Sequence, residues 1–340
     1  MNLPDYNFIS APLWLLTTLH LLTLALHLFA MNLLLGGVLI TLYAALKKQW
    51  DHPVAQKFVR LFPVAMAATV TLGVAPLLFL QVVYPRQVYS ASIVSGWFWL
   101  MIFVAVIVAY YALYRASFGG ETSGRVHKAT LVLGLLGLAY VSLVYSSVFS
   151  LAERPEVIGK LYAQDQSGLV LNPPGDYILR WLHMILGAVT VGGFFVGLIG
   201  RNQPEAYATG KAFFLWGMVA AALAGMAYLL SLLDYLRAFM HTPAIWTLTV
   251  AVLLSLGSLH FFFKKNFWPA GLTLFLSVLG MVYARHTMRL LKLQGQFDPA
   301  SWPVAPQWSP FIMFLLCFLI ALAALAYMLR LAFTNNKSAA

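Results

Sequence analysis

Charge and sulfur are what this chain has least of. Of its 340 residues only 9% are charged, ten of them acidic, and one is a cysteine. A single thiol, Cys317 in the last apolar run, makes neither an internal disulfide nor a multi-thiolate metal site, which excludes sulfur chemistry as the core function. No CxxCH attachment sequence, phosphate-binding glycine loop or nucleophile elbow is present. The acids are Asp5, Asp51, Glu121, Glu153, Glu156, Asp165, Asp176, Glu205, Asp234 and Asp298. Only Asp234 falls inside an apolar span, so no chain of carboxylates crosses the hydrocarbon as a proton wire. Polar stretches long enough for a soluble domain are lacking too, and no internal repeat stands out.

What is there is apolar. The chain is 61% hydrophobic with a mean hydropathy of +0.83, and runs of about 20 apolar residues recur along its length, the signature of helices that cross a bilayer. Nine spans are predicted near 12–46, 57–84, 92–116, 128–152, 177–200, 211–238, 242–263, 267–292 and 309–333. The expected fold is all-α, a polytopic membrane helical bundle forming a single transmembrane domain over 1–340. The first run is long for one crossing and is expected to tilt or project. It follows a polar start, Met1 to Ser10, without a basic region, so it is expected to remain in the protein as a helix rather than act as a cleaved leader.

The net charge of +11 is spread thinly over the loops and forms no patch with interleaved aromatics, so no nucleic-acid partner is expected. It orients the chain instead. With the N-terminus outside, the inner loops hold Lys47, Lys48, Lys57, Arg60, Arg115, Arg125, Lys128, Arg201, Lys211, Lys264, Lys265, Arg330 and Lys337. The outer side holds Arg86, Arg154, Lys160, Arg180, Arg237, Arg285, Arg289 and Lys292. The excess on the first side predicts N-out and C-in.

Ionisable or metal-binding side chains in hydrocarbon are costly and mark function. His20 and His27 lie on the first span, two turns apart on one face. His183 lies on the fifth, Met240 and His241 where the seventh begins, His260 late on the seventh and His286 near the outer end of the eighth. Neutral imidazole is the commonest axial ligand of haem iron, and methionine is its partner at high potential. Arg180 precedes His183 by three, Arg237 precedes Met240 by three, and Arg285 and Arg289 flank His286. Arginine pairs with carboxylates such as haem propionates in forked geometry. The pattern predicts b-type haem, about two or three per chain, on His183, His27, His286, Met240, His20 or His241, with propionates on Arg180, Arg237, Arg285 and Arg289.

These residues also carry a resemblance. LVLNPPGDYILRWLHMILGAVTVGGFFVGLIGR, Leu169 to Arg201, resembles the fifth helix of subunit I of cytochrome bd quinol oxidases, where an LxxNP turn precedes the histidine of the low-spin b haem. That position is His183 here. HLFAMNLLLGG resembles the family segment in which a histidine, here His27, stands nine residues before a glycine and ligates the oxygen-reactive haem. LFPVAMAATVTLGVAPLLFLQ resembles the family's second helix. The likeness covers residues 12–240, and 241–340 is more divergent. The family's Arg-x-Met pair becomes Arg237-Ala238-Phe239-Met240, and its eighth-helix glutamate is replaced, leaving His286 nearest. The third-helix glutamates, the long quinol-binding loop and the GRQP turn are missing.

The resemblance implies a bacterial inner-membrane b-type cytochrome that oxidises quinol and passes electrons towards a periplasmic c-type cytochrome or iron–sulfur subunit, with further membrane subunits and lipid as partners. The missing acids argue against oxygen reduction. The rivals are an oxygen-reducing bd-type oxidase subunit and a haem-free membrane anchor or transporter.

Overall fold

A computed structural model of the chain describes residues 9–47, 53–118, 124–164, 168–172 and 175–335. Asp5, Lys48, Asp51, Glu121, Asp165, Pro173 and Lys337, named above, lie outside the described residues. Within them the regular structure is helical: α1 (Leu13–Leu46), α2 (Pro53–Val59), α3 (Phe62–Val83), α4 (Pro85–Val94), α5 (Gly96–Phe118), α6 (Gly124–Leu151), α7 (Pro155–Ala163), α8 (Asp176–Ile199), α9 (Pro204–Leu230), α10 (Leu233–Met240), α11 (Ala244–Phe263), α12 (Phe267–Leu293) and α13 (Trp308–Asn335). Among the described residues eight helices are long and apolar enough to cross a bilayer, and α13 adds a further apolar stretch at Trp308–Ile320. The chain is a multi-pass membrane protein.

The expected spans match these helices closely, except that three run across a break: 57–84 begins in α2, 92–116 begins in α4, and the third difference is larger. The sixth, expected over 211–238, ends at Leu230, and α10 is a separate helix. Ser231 stands at the break, its hydroxyl donating to the Tyr228 carbonyl at 2.7 Å. Asp234 then sits in the first turn of α10, where the helix dipole favours a negative charge. At 34 residues, α1 is roughly 51 Å long by helix rise, longer than the ~30 Å hydrocarbon layer.

The chain divides into two compact units, Met1–Leu16 with Pro299–Ala340, and Thr17–Asp298. In the first, Ile9 donates to the Pro303 carbonyl at 2.8 Å and accepts from Ala305 at 3.0 Å, a short parallel pairing ahead of α13. The second holds a repeat in helix order. A series α1, α3, α5, α6 is followed by α8, α9, α11, α12, and a short helix stands between the second and third members each time, α4 and then α10. The close approaches repeat as well. Gly36 on α1 and Gly192 on α8 meet each other's backbones, Gly36 against Ala188 and Gly192 against Gly36. Gly137 on α6 seats on Ala105 and Ala109 of α5, and Gly280 on α12 seats on Thr247 and Ala251 of α11. In a bilayer, where apolar burial drives little, small residues that let backbones pack closely hold helices together. The repeat escaped the sequence because only these few contact positions carry it.

A side chain at either α1–α8 crossing glycine has no room. Gly36→Val and Gly192→Val are each expected to cost about 1–3 kcal/mol or more. They should lower the thermal unfolding midpoint in detergent, whereas Gly257→Ala, whose Cβ would meet nothing within 4 Å, should leave it unchanged.

Candidate functional site

The site is built by two histidine clamps and one charged cluster. On α1, the His27 ring donates from Nδ1 to the Thr69 carbonyl of α3 at 2.9 Å. On α8, His183 donates from Nδ1 to the Ala221 carbonyl of α9 at 2.7 Å. A carbonyl only accepts, so each ring carries a proton on Nδ1, and in the neutral tautomer Nε2 holds the lone pair. The second residues of the two clamps correspond too. The His27 ring lies against Gly73 and the His183 ring against Gly225, each four residues after the accepting carbonyl, and each nearest through Nδ1 and Cε1. In a helix the side chain at j+4 leans back over the carbonyl at j. A Cβ at Gly73 or Gly225 would fall within 3 Å of the imidazole, so these two rings depend on glycine there.

His20, about two turns before His27 on α1, donates from Nδ1 to the Pro76 carbonyl of α3 at 3.1 Å. It lies within electrostatic reach of His286 and Arg289 on α12. His286 Nδ1 is buried and has no hydrogen-bond partner. His20, His183 and His286 therefore sit towards one end of the bundle, the end that carries α4, α7 and α10, while His27, on Thr69 in the first half of α3, sits nearer mid-span. His260 is exposed beside Lys264 at the other end. Met240, 52% exposed, and His241 lie at the end of α10, where His241 Nδ1 donates to the Arg237 carbonyl of its own turn at 2.7 Å. Arg237 is exposed on that same short helix.

The other three arginines singled out from the sequence come together on a residue that sequence reasoning passed over as a loop acid. Glu153, just beyond α6, is 1% exposed and pairs through Oε1 with Arg285 and with Arg289 Nε at 3.2 Å, while Oε2 lies 3.9 Å from Lys292. Arg180, from α8, also acts on it and donates to the Ser146 carbonyl at 2.8 Å. Burial pushes the Glu153 carboxyl up, but Arg285, Arg289, Arg180 and Lys292 outweigh it and bring it down to about 2. Arg289 also stacks 5.5 Å above the Tyr84 ring. The signal available in the sequence was Glu153 itself, an acid directly at the end of a span in an acid-poor chain, but its partners lie 132 and 136 residues away.

Among the described residues no three His, Cys, Asp or Glu side chains converge as a metal site. No protein-family model matches the chain, and no curated protein matches it.

Removing the buried carboxylate strands its cations. Glu153→Gln is expected to destabilise the protein by about 3–5 kcal/mol. Because the folded carboxyl sits below its ordinary value of 4.5, its contribution is complete above about pH 4.5 and is lost as the pH falls from there towards about 2. Acid unfolding of the wild type should steepen through that window, and that of Glu153→Gln should not. Superimposable acid profiles would contradict the pairing.

Proposed function

We propose that this protein is a membrane b-type cytochrome related to subunit I of cytochrome bd quinol oxidases, acting in a respiratory complex of the bacterial inner membrane. The observation that carries the reading is the pair of clamps, His27–Thr69–Gly73 and His183–Ala221–Gly225. Histidines that ligate a metal donate their other ring N–H to a carbonyl or carboxylate, which fixes tautomer and ring orientation. Both clamps hold Nε2 as the free lone pair.

The residues fit a haem. A Cβ at Gly73 or Gly225 would occupy the space of the ring. Gly187, one turn after His183, has nothing within 4 Å of a Cβ built there, so that face of α8 is open next to the histidine's turn. Arg180, Arg285 and Arg289 supply cations at the same end of the bundle for propionates. When bound, haem b supplies one-electron redox chemistry between quinol and a further acceptor. The chain's residues do the rest: the carbonyls of Thr69 and Ala221 aim the imidazoles, the glycines seat them, and Arg285 and Arg289 hold Glu153 ionised. Glu153 is then a fixed negative charge rather than a proton carrier.

Electrons are proposed to pass from quinol to a periplasmic acceptor, a c-type cytochrome or an iron–sulfur subunit. The placement of His20, His183 and His286 towards the end that the charge bias marks as outer favours this. The absence of acids from α5, which reads GWFWLMIFVAVIVAYYALYRASF, favours electron transfer over oxygen reduction.

The test is a reduced-minus-oxidised optical spectrum of the freshly purified chain. Bands of b-type haem are expected, with the low-spin component lost in His183→Ala and weakened in Gly225→Leu, which displaces the ring without removing it. His260→Ala should match the wild type. Freshly purified protein without b-type bands would refute the reading.

A further inference from the structure

At the end of the bundle away from Glu153, a lysine closes the turn between α11 and α12. Lys265 has a φ of 58°, and among the described residues no other non-glycine residue has a positive φ. The turn is a Schellman cap. The Lys265 N–H donates to the Phe262 carbonyl at 2.9 Å, and the Asn266 N–H donates to the Phe261 carbonyl at 2.9 Å. Such a cap needs a left-handed residue at this place, and glycine is the usual one because it has no Cβ to clash. A lysine held there costs stability. Strain of that kind persists where the side chain has work of its own.

The side chain lies over an aromatic platform. Lys265 Nζ stands 5.1 Å from the centre of the Tyr207 ring on α9. Tyr207 stacks on Phe262 with ring centres 5.5 Å apart, and its hydroxyl donates to the Phe262 carbonyl at 2.9 Å. The same carbonyl accepts from the Lys265 N–H, so cap and platform are one assembly. Lys211, further along α9, places its Nζ 4.3 Å from the centre of the Phe263 ring. Lys264 stands in the turn beside Lys265. All three lysines are exposed, and among the described residues no carboxylate pairs with any of them. A ring face holds an ammonium in place without cancelling its charge, and N–H donors remain for another partner. Trp216, five residues past Lys211, is 66% exposed, and Trp268, three past Lys265, is 82% exposed. Exposed tryptophans near span ends settle at the membrane–water interface. The three ammonium groups therefore stand at the level of lipid headgroups.

We propose that this corner of α9, α11 and α12 binds the phosphodiester headgroup of an anionic membrane lipid. Lys211, Lys264 and Lys265 donate to the phosphate oxygens, the rings of Phe263 and Tyr207 hold two of the ammonium groups in position, and the acyl chains run beside Trp216 and Trp268. Lysines that served only to orient the chain in the bilayer would need neither a fixed direction nor a strained backbone. Lipid is favoured over an acidic protein because the lysines and the two tryptophans share the interface. The proposal rests on the cap, the rings and the lysines, and not on the haem reading.

The experiment is binding to the full chain purified in detergent, read by native mass spectrometry and by the thermal unfolding midpoint. The probes are phosphatidylglycerol, phosphatidylcholine, free glycerol phosphate and polyglutamate. Phosphatidylglycerol is expected to bind more tightly than phosphatidylcholine, each lysine contributing about fivefold to the preference. Lys211→Gln and Lys264→Gln should each lower it by about that factor. Lys57→Gln, which removes an exposed lysine of α2 at the same end of the bundle, should leave it unchanged. Lys265→Gly separates binding from folding. Glycine relieves the cap, so without added lipid the variant should unfold at the wild-type midpoint or above it. Phosphatidylglycerol should then raise the midpoint of the wild type more than that of the variant. Equal binding of the two lipids would overturn the site, as would a preference unchanged in the three lysine variants or lowered as much by Lys57→Gln. Free glycerol phosphate that matches phosphatidylglycerol in affinity would overturn the lipid as the source. Polyglutamate bound through these lysines, with no preference between the lipids, would overturn lipid as the occupant.

Discussion

An imidazole in hydrocarbon needs a partner for its N–H, and a helical neighbour offers only carbonyls already engaged in their own helical bonds. The spare lone pair of such a carbonyl is screened by the side chain four residues on, which leans back over it. Glycine there, with close approach of two helices, opens it to a ring. The chain uses this arrangement twice, with His27 over Gly73 and His183 over Gly225. Each clamp ties an element of one four-helix series, α1 to α3 and α8 to α9, and the two series meet where Gly36 and Gly192 let α1 and α8 touch. Bundle packing and histidine chemistry thus depend on the same handful of small residues. A substitution at Gly73 or Gly225 disturbs both.

The second organising interaction is electrostatic. A carboxylate as deeply buried as Glu153 is tolerable only when paired and hydrogen-bonded. Its cations arrive from α8 and α12, so the ion cluster fastens the end of α6 to helices far along the chain.

Much of the fold was legible because lipid imposes a simple rule: a spanning segment is an unbroken apolar helix, and its length is set by the bilayer. That rule placed α1, α3, α5, α6, α8, α11, α12 and α13 within a few residues. It could not see the stop between α9 and α10, because Leu229, Leu230, Leu232 and Leu233 carry the apolar pattern straight across the turn at Ser231. His20, His27, His183 and His286 stood out because polar groups are rare in such a chain. Gly73 and Gly225 did not, since a glycine in a membrane helix gains meaning only once the opposing residue is known. Glu153 hid in a loop for the same reason. The repeat of two helix series was silent because it resides in contacts and helix order, with little residue identity between the halves beyond His27 and His183.

The account's central claim is that the clamped histidines exist to hold iron through Nε2. Pyridine haemochrome quantitation on freshly purified chain, normalised to protein, tests it most directly. The account predicts haem of the b type at about two or three per chain, falling by about one when His183 is replaced by alanine. Protein that carries no haem as isolated, and takes up none on reconstitution, would contradict it.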